Sequence, residues 1–205
     1  MNGALLLLAV VSGAEDEWRK VETVDGITVE QRSVKGSHVL ELKLSKVSTA
    51  PADRLCDEAF GPGKFDPEEP DLKSRKVLEE GADTRVTYDQ ISPPIVSNRD
   101  FAVRATRVRL DGGVCEMRFN AENTLAPRPP PGYVRIEMVK GYWRFEPSPE
   151  GKTKLTYVVH ADPAGAIPPF MIEGTRRVFA VKWVKLIEKR ASLPAIVPNP
   201  DGGSR

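Results

Sequence analysis

Only two histidines and two cysteines occur among the 205 residues. A structural metal centre needs about four N or S ligands at a recognisable spacing, and His38, His160, Cys56 and Cys115 offer none. No metal and no other cofactor is expected. A charge excess is missing too: 30 Lys and Arg stand against 29 Asp and Glu, a net +1. That balance removes the electrostatic case for nucleic acid, which calls for a basic patch and a high pI. No paired carboxylates and no nucleophile with a supporting base stand out, so no catalytic residue is assigned. No internal repeat is present.

A membrane-spanning run is also lacking. The longest apolar stretch, "ALLLLAVV" from Ala4 to Val11, is far short of the about 20 residues a spanning helix needs. It is followed by Ser12-Gly13-Ala14 and then by acidic residues, the shape of a secretory signal cut after Ala14. Residues 1–14 are therefore read as a signal peptide, although Met1-Asn2-Gly3 carries no Lys or Arg. A periplasmic or secreted protein is expected, and a cytoplasmic one if the run is not a signal. The two cysteines fit either compartment. Sequence cannot pair them, and each has an apolar neighbour in a different predicted element, so two separate buried thiols are expected.

What is present is mostly alternation. "GITVEQRSV" and "HVLELKLSKV" read as an antiparallel hairpin, and "TAPADRLCDEAF" carries Leu55, Ala59 and Phe60 at helical spacing. "KSRKVLEEG" and "DTRVTYDQI" form a second strand pair. "FAVRATRVRL" turns at Asp111-Gly112-Gly113 into "VCEMRFNAENT". "YVRIEMVKGYWRFEPS" and "KTKLTYVVHADP" form a last hairpin. The period then changes to that of a helix: in "FMIEGTRRVFAVKWVKLIEKRAS", Ile172, Phe179, Trp183, Leu186 and Ile187 share one face. Arg176 falls on that same apolar side. Arg177, Lys182, Lys185 and Lys189 give the helix a cationic outer face, suited to an anionic lipid surface or simply to water. The expectation is an α+β domain over 15–192, a curved antiparallel sheet covered by one long C-terminal helix with room for an interior pocket, followed by a flexible tail over 193–205.

Five stretches, in this order, carry a resemblance: "DGITVEQRSVKGS", "VTYDQISPPIVSNRDFAVR", "GYWRFEP", "GKTKLTYVVHADPAGAIP" and the closing helix. Together, from Trp18 to Ala191, they resemble the START family, the lipid-transfer domains related to steroidogenic acute regulatory protein. The resemblance implies a helix-grip fold with one hydrophobic tunnel for a single lipid. Where the family usually carries an aromatic, often Trp, this chain reads "KFDPEEPD" with Phe65. In sterol-binding members an acid on one strand and an arginine on the next pair inside the cavity, positions that match Asp89 and Arg104. In phosphatidylcholine-binding members the arginine of N-R-D lies near the phosphate, a position that matches Arg99.

Read as residues alone, Arg104 also suits a solvated face, Asp89 an edge-strand charge and Arg99 a local salt bridge with Asp100. Trp143 suits core or cavity wall, and Phe179 and Trp183 face the tunnel or fill a core. His160 reads as a hydrogen-bonded strand residue. The leading expectation is a monomeric, non-enzymatic carrier that takes a phospholipid, sterol or hopanoid-like lipid and meets membranes transiently. A polyketide cyclase or aromatase on the same fold, with Tyr88, Asp89, Arg104 and His160 as its polar groups, is the enzyme alternative. A ligand-sensing module is the third.

Overall fold

The computed structural model describes residues 17–193 apart from 62, 95, 166 and 168. The signal-peptide expectation for 1–14 and the tail from 194 onward lie outside the described residues. Ten strands and two helices follow in the order β1 (Arg19–Val24), β2 (Ile27–Arg32), β3 (Glu41–Ser48), α1 (Ala52–Phe60), β4 (Leu72–Glu80), β5 (Thr84–Ile91), β6 (Asn98–Arg109), β7 (Cys115–Ala121), β8 (Tyr133–Arg135), β9 (Met138–Ser148), β10 (Lys152–Asp162) and α2 (Pro169–Ser192). They form one sheet in the order β1-β2-β3-β10-β9-β7-β6-β5-β4, with β8 beside β6.

Two elements differ from the sequence reading. Strand β1 was not foreseen because "RKVETV" is mostly polar and sits exposed at the sheet edge. Its hairpin turns at Asp25-Gly26, both with positive φ (51° and 76°), the backbone a two-residue turn of this hand requires. The single strand expected from Tyr133 to Ser148 is two strands. Residues Tyr133–Arg135 pair parallel with Asn98–Asp100, and only from Met138 does the chain join β10. The Ile136 amide continues the parallel pairing by donating to the Asp100 carbonyl at 3.0 Å.

A third correction concerns the cysteines. They are not separate thiols: Cys56 of α1 and Cys115 at the start of β7 are joined by a disulfide across a sequence separation of 59. Both cysteines and Leu55 belong to one buried core, which α1 and the sheet share.

That core fills only part of the sheet's concave side. Ile27, Val29, Leu42 and Leu44 of β2 and β3, Leu55 and Cys56 of α1, Phe145 and Leu155, and Val184 and Ile187 of α2 pack together, all buried. Beside Ile172, Arg176, Phe179 and Trp183 of α2, part of the space between helix and sheet is left as a cavity. Along the outer side of α2, Arg177, Lys185 and Lys189 meet Glu22, Asp25 and Glu68. Much of the expected cationic face is therefore already neutralised within the fold.

Candidate cavity and its charged wall

Beneath α2 lies a cavity of about 290 Å³. Its apolar wall comes from alternate residues of the curved strands, Phe101, Val103 and Ala105 of β6, Val139 and Trp143 of β9, Tyr157 and Val159 of β10, and from Ile172, Phe179 and Trp183 on α2. Alternation explains the set, since successive side chains of a strand point to opposite faces. Trp143 lies flat on Tyr157, their ring centroids 3.9 Å apart, and Trp183 meets Phe179 edge-on at 6.4 Å. Gly141 belongs on this face for steric reasons. A Cβ there would come within 2.1 Å of the Val158 carbonyl oxygen and 2.6 Å of the Phe119 ring.

Into this apolar wall the sheet sets charges. Asp89 is buried on β5, and its cross-strand partner on β4 is Arg75. The guanidinium grips the carboxylate with both oxygens, Nε to Oδ1 at 2.8 Å and Nη2 to Oδ2 at 2.7 Å. Its remaining arm, Nη1, donates to Glu69 Oε1 at 2.8 Å. One cation thus serves two carboxylates. Burial works against the charge of Arg75, but Asp89 and Glu69 outweigh it and hold the guanidinium firmly protonated. Burial pushes the Glu69 carboxyl up, and the neighbouring Asp89 charge adds to this against the pull of Arg75. Glu69 Oε2 is buried and has no hydrogen-bond partner among the described residues. Arg75 carried no signal in the sequence that set it apart from the other cations of "KSRK"; only the β4–β5 register does so.

Arg104, the expected partner of Asp89, is not in the cavity. Asp89 sits opposite Phe101, and Arg104 opposite Val86. Phe101, Val103 and Ala105 face inward, so Arg104 between them faces outward. There it is partly exposed and bonds Glu122 Oε2 at 3.2 Å and Glu79 Oε2 at 3.0 Å. The signal was available in the sequence: the inward parity of "FAVRA" belongs to Phe101, Val103 and Ala105.

Arg99 does line the cavity, and its setting differs from the local salt bridge with Asp100. Asp100 points the other way, to Arg135 (3.0 and 2.7 Å) and the Tyr88 hydroxyl (2.8 Å). Arg99 instead donates to three carbonyls, those of Ser97, Pro163 (3.1 Å) and Ala164 (3.2 Å). It ties the S-N-R-D-F segment to the D-P-A-G segment, which accounts for two widely separated motifs occurring together. Among the described residues no carboxylate pairs with it, and burial lowers its pKa. Of the six residues singled out from sequence, Asp89, Arg99, Trp143, Phe179 and Trp183 line the cavity and Arg104 does not. His160 lies on the outer face, its Nε2 3.0 Å from Ser37 Oγ and 3.2 Å from the Val39 carbonyl. Phe65 is half-exposed and is not part of the wall.

This combination, a curved antiparallel sheet gripping a C-terminal helix over a hollow with a few buried charges, is a helix-grip fold. The sequence matches the START domain family over residues 5–191, and the chain belongs to that family. An uncharacterized protein of Pseudomonas aeruginosa is 28% identical over 160 residues, covering 76% of this chain and 77% of that one. A STAR-related lipid transfer protein of Xanthomonas axonopodis has a crystal structure that superposes with a TM-score of 0.77 at 27% identity, covering 87% of this chain and all of that one. An aromatase/cyclase of Streptomyces shares the fold more distantly, with a TM-score of 0.52 at 17% identity over 74% of this chain and 92% of its own.

Proposed function

We propose that the protein is a lipid carrier that holds one phospholipid or sterol-like molecule in the cavity beneath α2 and moves it between membranes. The observation that carries this reading is the wall itself: apolar and aromatic along most of its area, with buried charges gathered at a few points. An amphiphile matches that distribution. Its tail gains about 25 cal/mol for each Å² of apolar surface removed from water. Its polar end needs partners inside, since an unpaired buried polar group costs a few kcal/mol, and the Glu69–Arg75–Asp89 cluster offers both donors and acceptors.

The aromatase/cyclase fold makes an enzyme the competing reading. Against it, the described residues lining the cavity include no His, Ser or Cys, and His160 faces away from the cavity. A disulfide persists in oxidising compartments, so Cys56–Cys115 supports export to the periplasm or beyond.

The three tryptophans provide the test. Trp143 and Trp183 line the cavity, whereas Trp18 is stacked under Arg32 and Lys43 away from it. After incubation with vesicles containing a lipid brominated in its acyl chain, and removal of the vesicles, Trp fluorescence should stay quenched. Fluorescence that recovers fully with every phospholipid and sterol tried would contradict the proposal.

A further inference from the structure

The stripe that α2 turns toward the cavity runs Ile172, Arg176, Phe179, Trp183. Three of these positions are apolar, and a fourth hydrophobe at 176 would complete the lining. The chain instead places a guanidinium there, only 11% exposed, where taking a charge out of water is costly. Four arginines line the cavity, and three are provided for. Arg75 holds two carboxylates, Arg85 holds Glu80 and two backbone carbonyls, and Arg99 holds three carbonyls.

Arg176 is different. Its one hydrogen bond among the described residues runs from Nη1 to Glu173 Oε1 at 3.2 Å, and its Nη2 is buried with no partner. Glu173 is itself divided, its Oε1 also accepting the Leu40 amide at 3.4 Å and its Oε2 left unpartnered. Burial lowers the pKa of the Arg176 guanidinium, with Glu173 opposing that only in part. Tyr157, stacked on the Trp143 ring, lines the same cavity, and its phenol lies close enough to Arg176 for the two to act on each other electrostatically.

We propose that Arg176 is the anion-binding residue of the cavity, and that the carried lipid is an amphiphile whose carboxylate or phosphate oxygens take the unmet donors of Arg176 and the Tyr157 hydroxyl. This rests on the lipid-carrier reading and narrows it from lipids in general to acidic ones. A guanidinium donates to two oxygens of one such group side by side. The aliphatic tail then lies along Phe179 and Trp183.

The experiment compares an 18-carbon fluorescent polyene acid, parinaric acid, with parinaryl alcohol, its uncharged counterpart, by titration into the full chain at neutral pH. The wild type should bind the acid about tenfold or more tightly than the alcohol, as a charge-assisted hydrogen bond predicts. Arg176→Leu should bring the acid down to the alcohol while leaving the alcohol unchanged. Glu173→Gln, which removes the competing carboxylate, should tighten the acid alone, and it carries the test if Arg176→Leu does not fold. Equal affinities for acid and alcohol in the wild type, or an unaltered preference in the variants, overturns the assignment of Arg176 while the lipid reading stands. Binding of neither probe overturns both. Competition by stearic acid against stearyl phosphate then tells which anion is preferred.

Discussion

Asp89 and Arg104 are both charges set within long strands of the sheet, yet the fold treats them oppositely. Asp89 is held inside by Arg75, and Arg104 lies outside between Glu79 and Glu122. Removing one member of a buried pair strands the other, at about 3–5 kcal/mol, whereas exposed pairs contribute little. Asp89→Ala should therefore lower unfolding stability by that order in a urea titration, and Arg104→Ala should leave it nearly unchanged. A larger loss for Arg104→Ala would mean that the two strands are out of the register described. The inward residue of the pair was legible from the resemblance. Its partner was not, because a strand pattern tells which face a residue takes but not which residue lies across from it. His160 gives a second prediction. Its Nε2 is engaged by Ser37 and Val39 while Nδ1 is buried, and among the described residues a proton on Nδ1 has nothing to bond. Burial lowers its pKa from the ordinary 6.5, more than the Val39 carbonyl raises it. The unfolded chain then takes the proton more readily, and the contribution of His160 to stability, intact above 6.5, is lost as the pH falls below it. His160→Gln, which keeps a donor at the same reach, should flatten the decline measured between about pH 7 and about pH 5.5. An unchanged slope would place the titration elsewhere.

Two fastenings set the behaviour of the elements. The Cys56–Cys115 disulfide anchors α1 to β7, and closing a loop of that span restricts the unfolded chain. The double variant Cys56→Ala, Cys115→Ala should lose about 2–4 kcal/mol in denaturant unfolding; no loss would mean that packing of α1 alone suffices. Gly63 and the stretch from Glu69 to Asp71 form part of the cavity wall, and the residues between them are latched to the last turns of α2 by Glu68 with Lys189 at 2.8 Å and by Asp66 with Arg190. If lipid enters there, Glu68→Gln, which frees the exposed Lys189 while leaving Arg190 on Asp66, should speed quenching by brominated vesicles several-fold while barely altering stability, since exposed ion pairs contribute little. Unchanged rates in stopped flow would place the entrance elsewhere. The elements themselves were mostly legible, because α2 and the long strands repeat their period over many residues. The exposed strand β1 and the break between β8 and β9 were not, since a polar edge strand has no buried face to mark it. A parallel pairing leaves no local trace at all.

At the scale of the whole molecule, one sheet serves two purposes. Between β2, β3, α1 and the C-terminal half of α2 it is packed solid around Phe145, Leu155, Val184 and Ile187. Under the N-terminal half of α2 it is hollow and carries charges that a core built for stability alone would exclude. On the carrier reading, the packed half has to keep the fold together whether or not the hollow half is filled. The most direct measurement of that claim is native mass spectrometry of the protein as purified from cells, followed by organic extraction and identification of what is released. The account predicts one lipid per chain, of one class and acidic if Arg176 sets the choice. A chain that arrives empty, and stays empty after incubation with phospholipid and sterol vesicles, would contradict it.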